Sequence, residues 1–109
     1  GFLTSTLPAA RRKNIAVIAM KILGGSHYLN PALPVSAEDL LRFALSFDVT
    51  MAVVGCSSRE EVNTLGRVKK AGAQPADAEK IAHIKKIYEP YARQLAFYRG
   101  GKTLGVGPR

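Results

Sequence analysis

The chain has 109 residues, enough for one ordinary domain but too few for a complete (β/α)₈ barrel, which takes about 250 residues. Hydrophobic residues make up 47% and charged residues 22%, which is typical of a globular protein and excludes a disordered one. No apolar run reaches the roughly 20 residues of a membrane span, so we expect no membrane partner.

The net charge of +8 is concentrated in the C-terminal part. Residues 1–65 carry six basic and five acidic side chains, whereas residues 66–109 carry ten and three. A basic segment can hold nucleic acid by releasing counterions. No RNA-binding aromatic motif, zinc finger or basic-plus-heptad pattern accompanies it, and we therefore do not expect a nucleic-acid partner.

The single cysteine, Cys56, can form no internal disulfide and no two-thiol zinc site. This favours a reduced, cytoplasmic setting, and the N-terminus shows no secretory signal pattern. Because no histidine lies near Cys56 in sequence, we expect a small packed residue there, not a nucleophile.

Residues 1–14 are predicted to form the end of a helix. Leu3 and Leu7 share one helical face, and a basic turn then leads to Asn14, which tolerates the left-handed cap. Residues 15–20, IAVIAM, form a continuous apolar run rich in β-branched side chains. Such a run predicts a strand of a parallel sheet, buried on both faces.

Residues 21–35 contain two glycines and two prolines, which predicts a long loop. Ser36 and Asp39 then form a helix start signal, followed by apolar residues at helical spacing, so a helix is predicted over residues 36–47. Residues 49–55, VTMAVVG, are predicted to form a second buried strand.

A second helix start is predicted at Ser58 and Glu61, and Gly72 ends that helix. The order of elements makes residues 15–72 a βαβα unit with parallel strands and a right-handed crossover.

Residues 76–99 are predicted to form a C-terminal helix with a break at Pro90, and the glycine-rich residues 100–109 a loose tail. Apolar side chains recur every three or four residues along that helix, and its tyrosines are expected to face the core. These positions are Ile81, Ile84, Tyr88, Tyr91, Leu95 and Tyr98.

Two segments follow the predicted strands, residues 20–25 (MKILGG) and residues 55–61 (GCSSREE). Ligands of α/β sheets bind at the carboxyl ends of parallel strands. Gly55 allows close backbone approach, and Ser57 and Ser58 lead into a helix N-terminus that attracts phosphate. The alternative, that Ser58 is only a helix cap and Gly55 only a turn residue, stays open.

Other polar residues give weaker signals. Lys21 either pairs with a phosphate or is solvated, and His27 and His83, which lack partners at metal-ligand spacing, are expected at the surface. The adjacent carboxylates at the two helix starts are explained by the helix dipole better than by catalysis. These pairs are Glu38 with Asp39 and Glu60 with Glu61. The residues themselves thus indicate a phosphate-binding βαβα unit without a catalytic set of its own.

The stretches FLTSTLPAARRKNIAVIAMKILGG and SAEDLLRFALSFDVTMAVVGCSSREEV resemble the last third of an aldo/keto reductase. The resemblance is strong over residues 2–71 and general over residues 76–99. It implies the C-terminal βαβα part of a (β/α)₈ TIM barrel plus a C-terminal helical extension, with residues 1–109 as a partial domain and the remainder of the barrel as partner.

The resemblance also implies an NAD(P)H-dependent oxidoreductase that reduces the carbonyl groups of small aldehydes or ketones to alcohols. In that family a tyrosine acts as general acid, assisted by lysine, aspartate and histidine from the first half of the barrel. None of these four can be placed on this sequence. We therefore expect no catalytic residue in the chain, and the chain alone to be inactive.

The resemblance carries nine positions over to the cofactor. They are Met20, Lys21, Leu23, Gly24, Gly55, Cys56, Ser57, Ser58 and Glu61. Met20 lies where many members stack an aromatic ring on the nicotinamide. Lys21, Leu23 and Gly24 lie in the loop along the pyrophosphate. The segment around the adenosine ribose and its 2′-phosphate contains Gly55, Cys56, Ser57 and Ser58. Glu61 lies one helical turn further. No metal ligand is implied.

Two departures bear on the cofactor. Glu61 stands where many members have a basic residue for the 2′-phosphate, and Leu65 stands where an asparagine often meets adenine, with Asn63 two residues early. A carboxylate would repel that phosphate but could accept hydrogen bonds from the free ribose hydroxyls of NAD(H).

Glu61 has a commoner use, as the acceptor for the Ser58 backbone N–H in a capping box. That use would leave Ser57, Ser58, the helix N-terminus and Arg59 for the phosphate. NADP(H) is therefore the expected cofactor, with NAD(H) as the alternative. The rival interpretation of the whole chain is a freestanding, non-catalytic binding or interaction module with a basic tail.

Overall fold

Helices account for most of the regular backbone. The computed structural model describes residues 1–95, in which a π-helical turn at Phe2–Thr6 continues into the first α-helix. The elements in chain order are α1 (Leu7–Arg12), β1 (Ile18–Ala19), a 3₁₀ turn (Gly24–Ser26), α2 (Ala37–Leu45), β2 (Met51–Ala52), α3 (Arg59–Lys70), α4 (Ala78–Tyr88), a second 3₁₀ turn (Glu89–Tyr91) and α5 (Ala92–Leu95). The protein is a small, mostly helical α/β protein with two parallel strands.

The two strands pair in parallel, as predicted, with Ile18 opposite Met51 and Ala19 opposite Ala52. The Val53 N–H donates to the Ala19 carbonyl (2.9 Å), which extends the pairing past the end of β2. Each strand is only two residues long, shorter than the predicted runs. Each strand has one partner within residues 1–95, so ladder hydrogen bonds form along one edge only.

The prediction that both strands are buried on both faces is wrong. Side chains alternate between the faces of a strand, so the observed register places Ile18, Met20, Met51 and Val53 on one face. Their exposed fractions are 57%, 68%, 54% and 51%. No element of the described chain covers these four residues, which we call the open sheet face.

Helix α2 lies at the centre of the core. Its capping box forms as predicted, with the Asp39 N–H donating to the Ser36 hydroxyl (3.1 Å) and the Ser36 N–H donating to the Asp39 carboxylate (2.9 Å). Leu40 packs with Val35 and Ile84, the latter from α4. Two of the apolar residues at helical spacing along this helix, Leu40 and Leu41, are buried. The inward stripe predicted for α3 is only partly observed, because Val68 is buried but Val62 is 56% exposed.

Helix α4 is tied to α2 by charge as well as by packing. The Lys80 ammonium lies 3.0 Å from the Asp39 carboxylate. Partial burial raises the pKa of Asp39, but hydrogen bonds from Ser36 and Lys80 outweigh this and leave the pKa below its ordinary value of 3.8.

The break predicted at Pro90 is confirmed, since α4 ends at Tyr88 and a 3₁₀ turn follows. Tyr88 packs against the core, as predicted, but Tyr91 is exposed. A 3₁₀ turn advances 120° per residue instead of 100°, so the apolar stripe of α4 does not continue through it. Tyr98, the predicted helix beyond Leu95 and the predicted tail at 100–109 lie outside the described residues. No helix within residues 1–95 is long and apolar enough to cross a membrane.

We predict that the open sheet face makes the isolated chain self-associate. A contiguous apolar patch beside unpaired strand edges is a typical association surface. Sedimentation at micromolar concentration should show oligomers, and Met51→Lys should shift them towards monomer with little change in melting temperature. Val62→Lys, at an exposed valine on α3, is the matched control. A monodisperse wild-type monomer with a sharp melt contradicts the prediction.

Candidate cofactor-binding cleft

A cleft of about 240 Å³ lies at the carboxyl ends of the two strands, between loop 21–35 and the start of α3. This is the edge at which α/β sheets bind ligands. Five of the nine predicted cofactor residues line it: Leu23, Gly55, Cys56, Ser58 and Glu61. The structure thus brings together two segments that are more than 30 residues apart in sequence.

The other four predicted residues lie elsewhere. Met20 and Lys21 line a second, larger groove of about 590 Å³ between the N-terminal helical segment, α2 and α4. Gly24 is buried beneath the ring of Tyr28, and Ser57 is exposed beside the cleft. A role for these four at the cofactor stays a prediction.

Gly55 and Cys56 line the cleft just after the chain leaves β2. A Cβ atom at Gly55 would meet no atom within 4 Å, so the backbone is open to a ligand there. Cys56 is exposed, and the expectation of a packed side chain is wrong. The chain has already left the sheet at this point, so Cys56 belongs to neither the strand pair nor α3.

The Glu61 carboxylate caps the start of α3. It accepts hydrogen bonds from the Ser57 N–H (2.5 Å), the Ser58 N–H (3.3 Å) and the Ser57 hydroxyl (3.1 Å). The Glu61 N–H in turn donates to the Ser58 hydroxyl (3.2 Å), which completes the predicted capping box.

Hydrogen bonds from Ser57 and Ser58 lower the pKa of Glu61 below its ordinary value of 4.5. The hydrogen bond from the Ser57 N–H contributes most, and the bonds from the Ser57 hydroxyl and the Ser58 N–H add to it against partial desolvation. Ser57 and Ser58, which the sequence left for a phosphate, are therefore already hydrogen-bonded to a carboxylate. The N–H groups of Arg59 and Glu60 remain at the helix N-terminus without intrahelical partners.

The apolar wall of the cleft contains residues that were not predicted as site residues. Leu29 comes from the loop and Leu41 from α2. Leu41 is one of the apolar residues at helical spacing in the predicted helix, but a leucine in an irregular loop gives no such signal. Leu65, at the predicted adenine position, also lines the cleft, whereas Asn63 is exposed and does not.

The fold and the cleft define the class of protein: a small α/β protein with a cleft at the carboxyl edge of a parallel strand pair. Within residues 1–95, no group of three histidine, cysteine, aspartate or glutamate side chains is placed to hold a metal ion. No family model matches the chain, and neither a curated protein nor a solved structure is detectably similar to it.

We predict that Ser57→Ala raises the pKa of Glu61 towards 4.5, because the variant removes the hydroxyl donor and keeps the backbone donor. A side-chain carboxyl titration by NMR measures this. The lowered pKa stabilises the fold above about pH 4.5, and that contribution is lost as the pH falls through the lowered pKa. Thr64→Val removes a hydroxyl that donates to the Glu60 carbonyl and should leave the pKa of Glu61 unchanged. The same pKa of Glu61 in the wild type and in Ser57→Ala contradicts the prediction.

Proposed function

We propose that the chain is the C-terminal part of an aldo/keto-reductase-type barrel and holds the adenosine end of NADP(H). The supporting observation is the cleft itself. Two loops that the resemblance assigns to the cofactor converge at the carboxyl edge of a parallel strand pair, with an exposed glycine backbone between them. Each half of the proposed site is supplied by a different strand end.

In this proposal, different residues of the cleft contact different parts of the cofactor. The leucines Leu23, Leu29 and Leu65 give an apolar wall for the flat face of an adenine. The backbone at Gly55 lies against the ribose. The α3 N-terminus, which begins at Arg59, attracts the negative charge of the phosphates.

The nicotinamide dinucleotide, when bound, supplies the hydride that reduces an aldehyde or ketone to an alcohol. The described residues supply binding and orientation of the cofactor only. Proton donation to the carbonyl oxygen falls to the remainder of the barrel, which completes the TIM barrel around the open sheet face. The covered face would then become part of a barrel interior, where bulky apolar side chains are usual.

We predict that the chain binds NADP⁺ and that Gly55→Val abolishes most of this binding. Gly55 lines the cleft and a Cβ atom there meets no other atom within 4 Å, so the bulkier residue should obstruct the ligand without disturbing the fold. Isothermal titration measures the affinity. Gly66→Val is the matched control, since Gly66 also faces open space and lies outside the cleft. Equal affinities of the two variants contradict the site, and a wild type that does not bind contradicts the function.

We predict that the chain alone reduces no carbonyl compound. Reduction needs a general acid within hydrogen-bond reach of the carbonyl oxygen, and the family's acid and its assisting residues match no position of this sequence. The assay follows NADPH oxidation by the purified chain with a reactive aldehyde. Steady turnover would refute the proposal that the chain holds only the cofactor.

The 2′-phosphate is the group that distinguishes NADP⁺ from NAD⁺. We predict tighter binding of NADP⁺ than of NAD⁺, and that Glu61→Arg widens the difference by about tenfold because it reverses a charge beside the phosphate. Glu61→Gln, which removes the charge and keeps the shape, should have a smaller effect in the same direction. A wild-type preference for NAD⁺ that Glu61→Arg reverses would show that the carboxylate binds the ribose hydroxyls and that NADP(H) is the wrong cofactor.

A further inference from the structure

The loop at residues 21–35 is folded tightly although it lacks strands and α-helix. The Tyr28 N–H donates to the Leu23 carbonyl (3.3 Å), the Gly24 N–H to the Lys21 carbonyl (2.8 Å) and the Leu29 N–H to the Ser26 carbonyl (3.1 Å). Its two cleft-lining side chains, Leu23 and Leu29, therefore lie at the two ends of one hydrogen-bonded turn. Whatever holds this turn also sets the position of that wall of the cleft.

The ring of Tyr28 lies against the backbone of Gly24. A Cβ atom at Gly24 would come within 2.8 Å of this ring, and Gly24 has a φ of 58°, so only glycine fits both the space and the backbone conformation. Gly24 and Tyr28 adjoin Leu23 and Leu29 in sequence. The contact thus joins the two cleft-lining ends of the turn, although neither Gly24 nor Tyr28 itself lines the cleft.

Tyr88, the last residue of α4, holds Tyr28 in two ways. Its hydroxyl donates a hydrogen bond to the Tyr28 carbonyl (2.5 Å), and its ring packs on the Tyr28 ring with centroids 5.7 Å apart and planes tilted by 59°. Partial burial raises the pKa of Tyr88, and the nearby Tyr28 and Asp39 raise it further. The hydroxyl is therefore protonated and able to donate throughout the neutral range.

Helix α4 is a firm support for this contact. Ile84, one turn before Tyr88, is 2% exposed and belongs to the core cluster with Leu40. The ion pair between Lys80 and Asp39 fixes the other end of the helix to α2. Yet α4 contributes none of the residues that line the cleft.

We infer that Tyr88 is a positioning residue, which holds the turn carrying Leu23 and Leu29 in place and so sets the affinity of the cleft from a helix that does not line it. This inference rests on the proposed function for the identity of the ligand. The position of the turn is an independent property of the chain, and it can be measured without any ligand.

The test is Tyr88→Phe in the full chain, which removes the hydrogen bond and keeps the ring contact. Loss of one such bond should speed amide hydrogen exchange at Gly24, Tyr28 and Leu29 by about fivefold. It should also weaken NADP⁺ binding by a similar factor. Exchange through local opening of a loop reports that loop alone, not the global stability of the fold.

Two controls separate positioning from general destabilisation. Val68→Ala trims a buried side chain of α3 that lies outside the core cluster against which the turn packs and does not line the cleft, so it lowers the melting temperature without altering the support of the turn. Tyr91→Phe removes the hydroxyl of an exposed tyrosine one helical turn further along the chain. Neither variant should change exchange in the turn or the affinity for NADP⁺.

Faster exchange in the turn and weaker binding for Tyr88→Phe alone support the inference. Wild-type exchange in the turn of Tyr88→Phe overturns it, as does a Val68→Ala variant that matches Tyr88→Phe in both measurements. If the wild-type chain does not bind NADP⁺, the proposed function fails, and the exchange rates by themselves then decide whether Tyr88 positions the turn.

Discussion

The packing of α2 is the constraint on which the rest of the structure depends. Two strands of two residues each cannot hold a fold together. Helix α2 contacts β2, α3 and α4, and its leucines at positions 40 and 41 are buried between these elements. Polar contacts reinforce the packing at both ends of the helix. Asp39 pairs with Lys80 on α4, and Arg42 donates to the Gln74 carbonyl (2.8 Å) in the connection between α3 and α4.

This arrangement explains why an irregular loop can form one wall of a cleft. Loop 21–35 ends at Val35, which belongs to the core cluster. Ser36 follows directly and caps α2. Its middle is held by Tyr88 from α4, which packs on the same core. The opposite wall begins at Ser58, where a second capping box fixes the start of α3. Both walls are therefore attached to elements that α2 holds in place.

The features that the sequence predicted well are those set by neighbouring residues. The capping boxes at Ser36 and Ser58, the left-handed Asn14 and the break at Pro90 each depend on residues within one turn of chain. Burial of the strands was predicted wrongly because it depends on which layers cover the sheet, and an apolar run carries no information on that. The contact of Tyr88 with the Tyr28 carbonyl spans 60 residues. An apolar stripe predicted that Tyr88 faces inward, but no pattern could name the backbone atom that it meets.

For the site, the sequence located both strand ends but not how they form the cleft. The sequence left two roles open for Glu61, capping and ribose binding. The structure shows the capping role, with three donors around one carboxylate. That geometry couples anion binding to the helix cap. A phosphate at this end of the cleft has to take the free N–H groups of Arg59 and Glu60, or displace the carboxylate from Ser57 and Ser58 and so undo the cap. The charge on Glu61 is compensated by its donors and by the helix dipole, and this compensation decides how strongly the cleft repels a second anion.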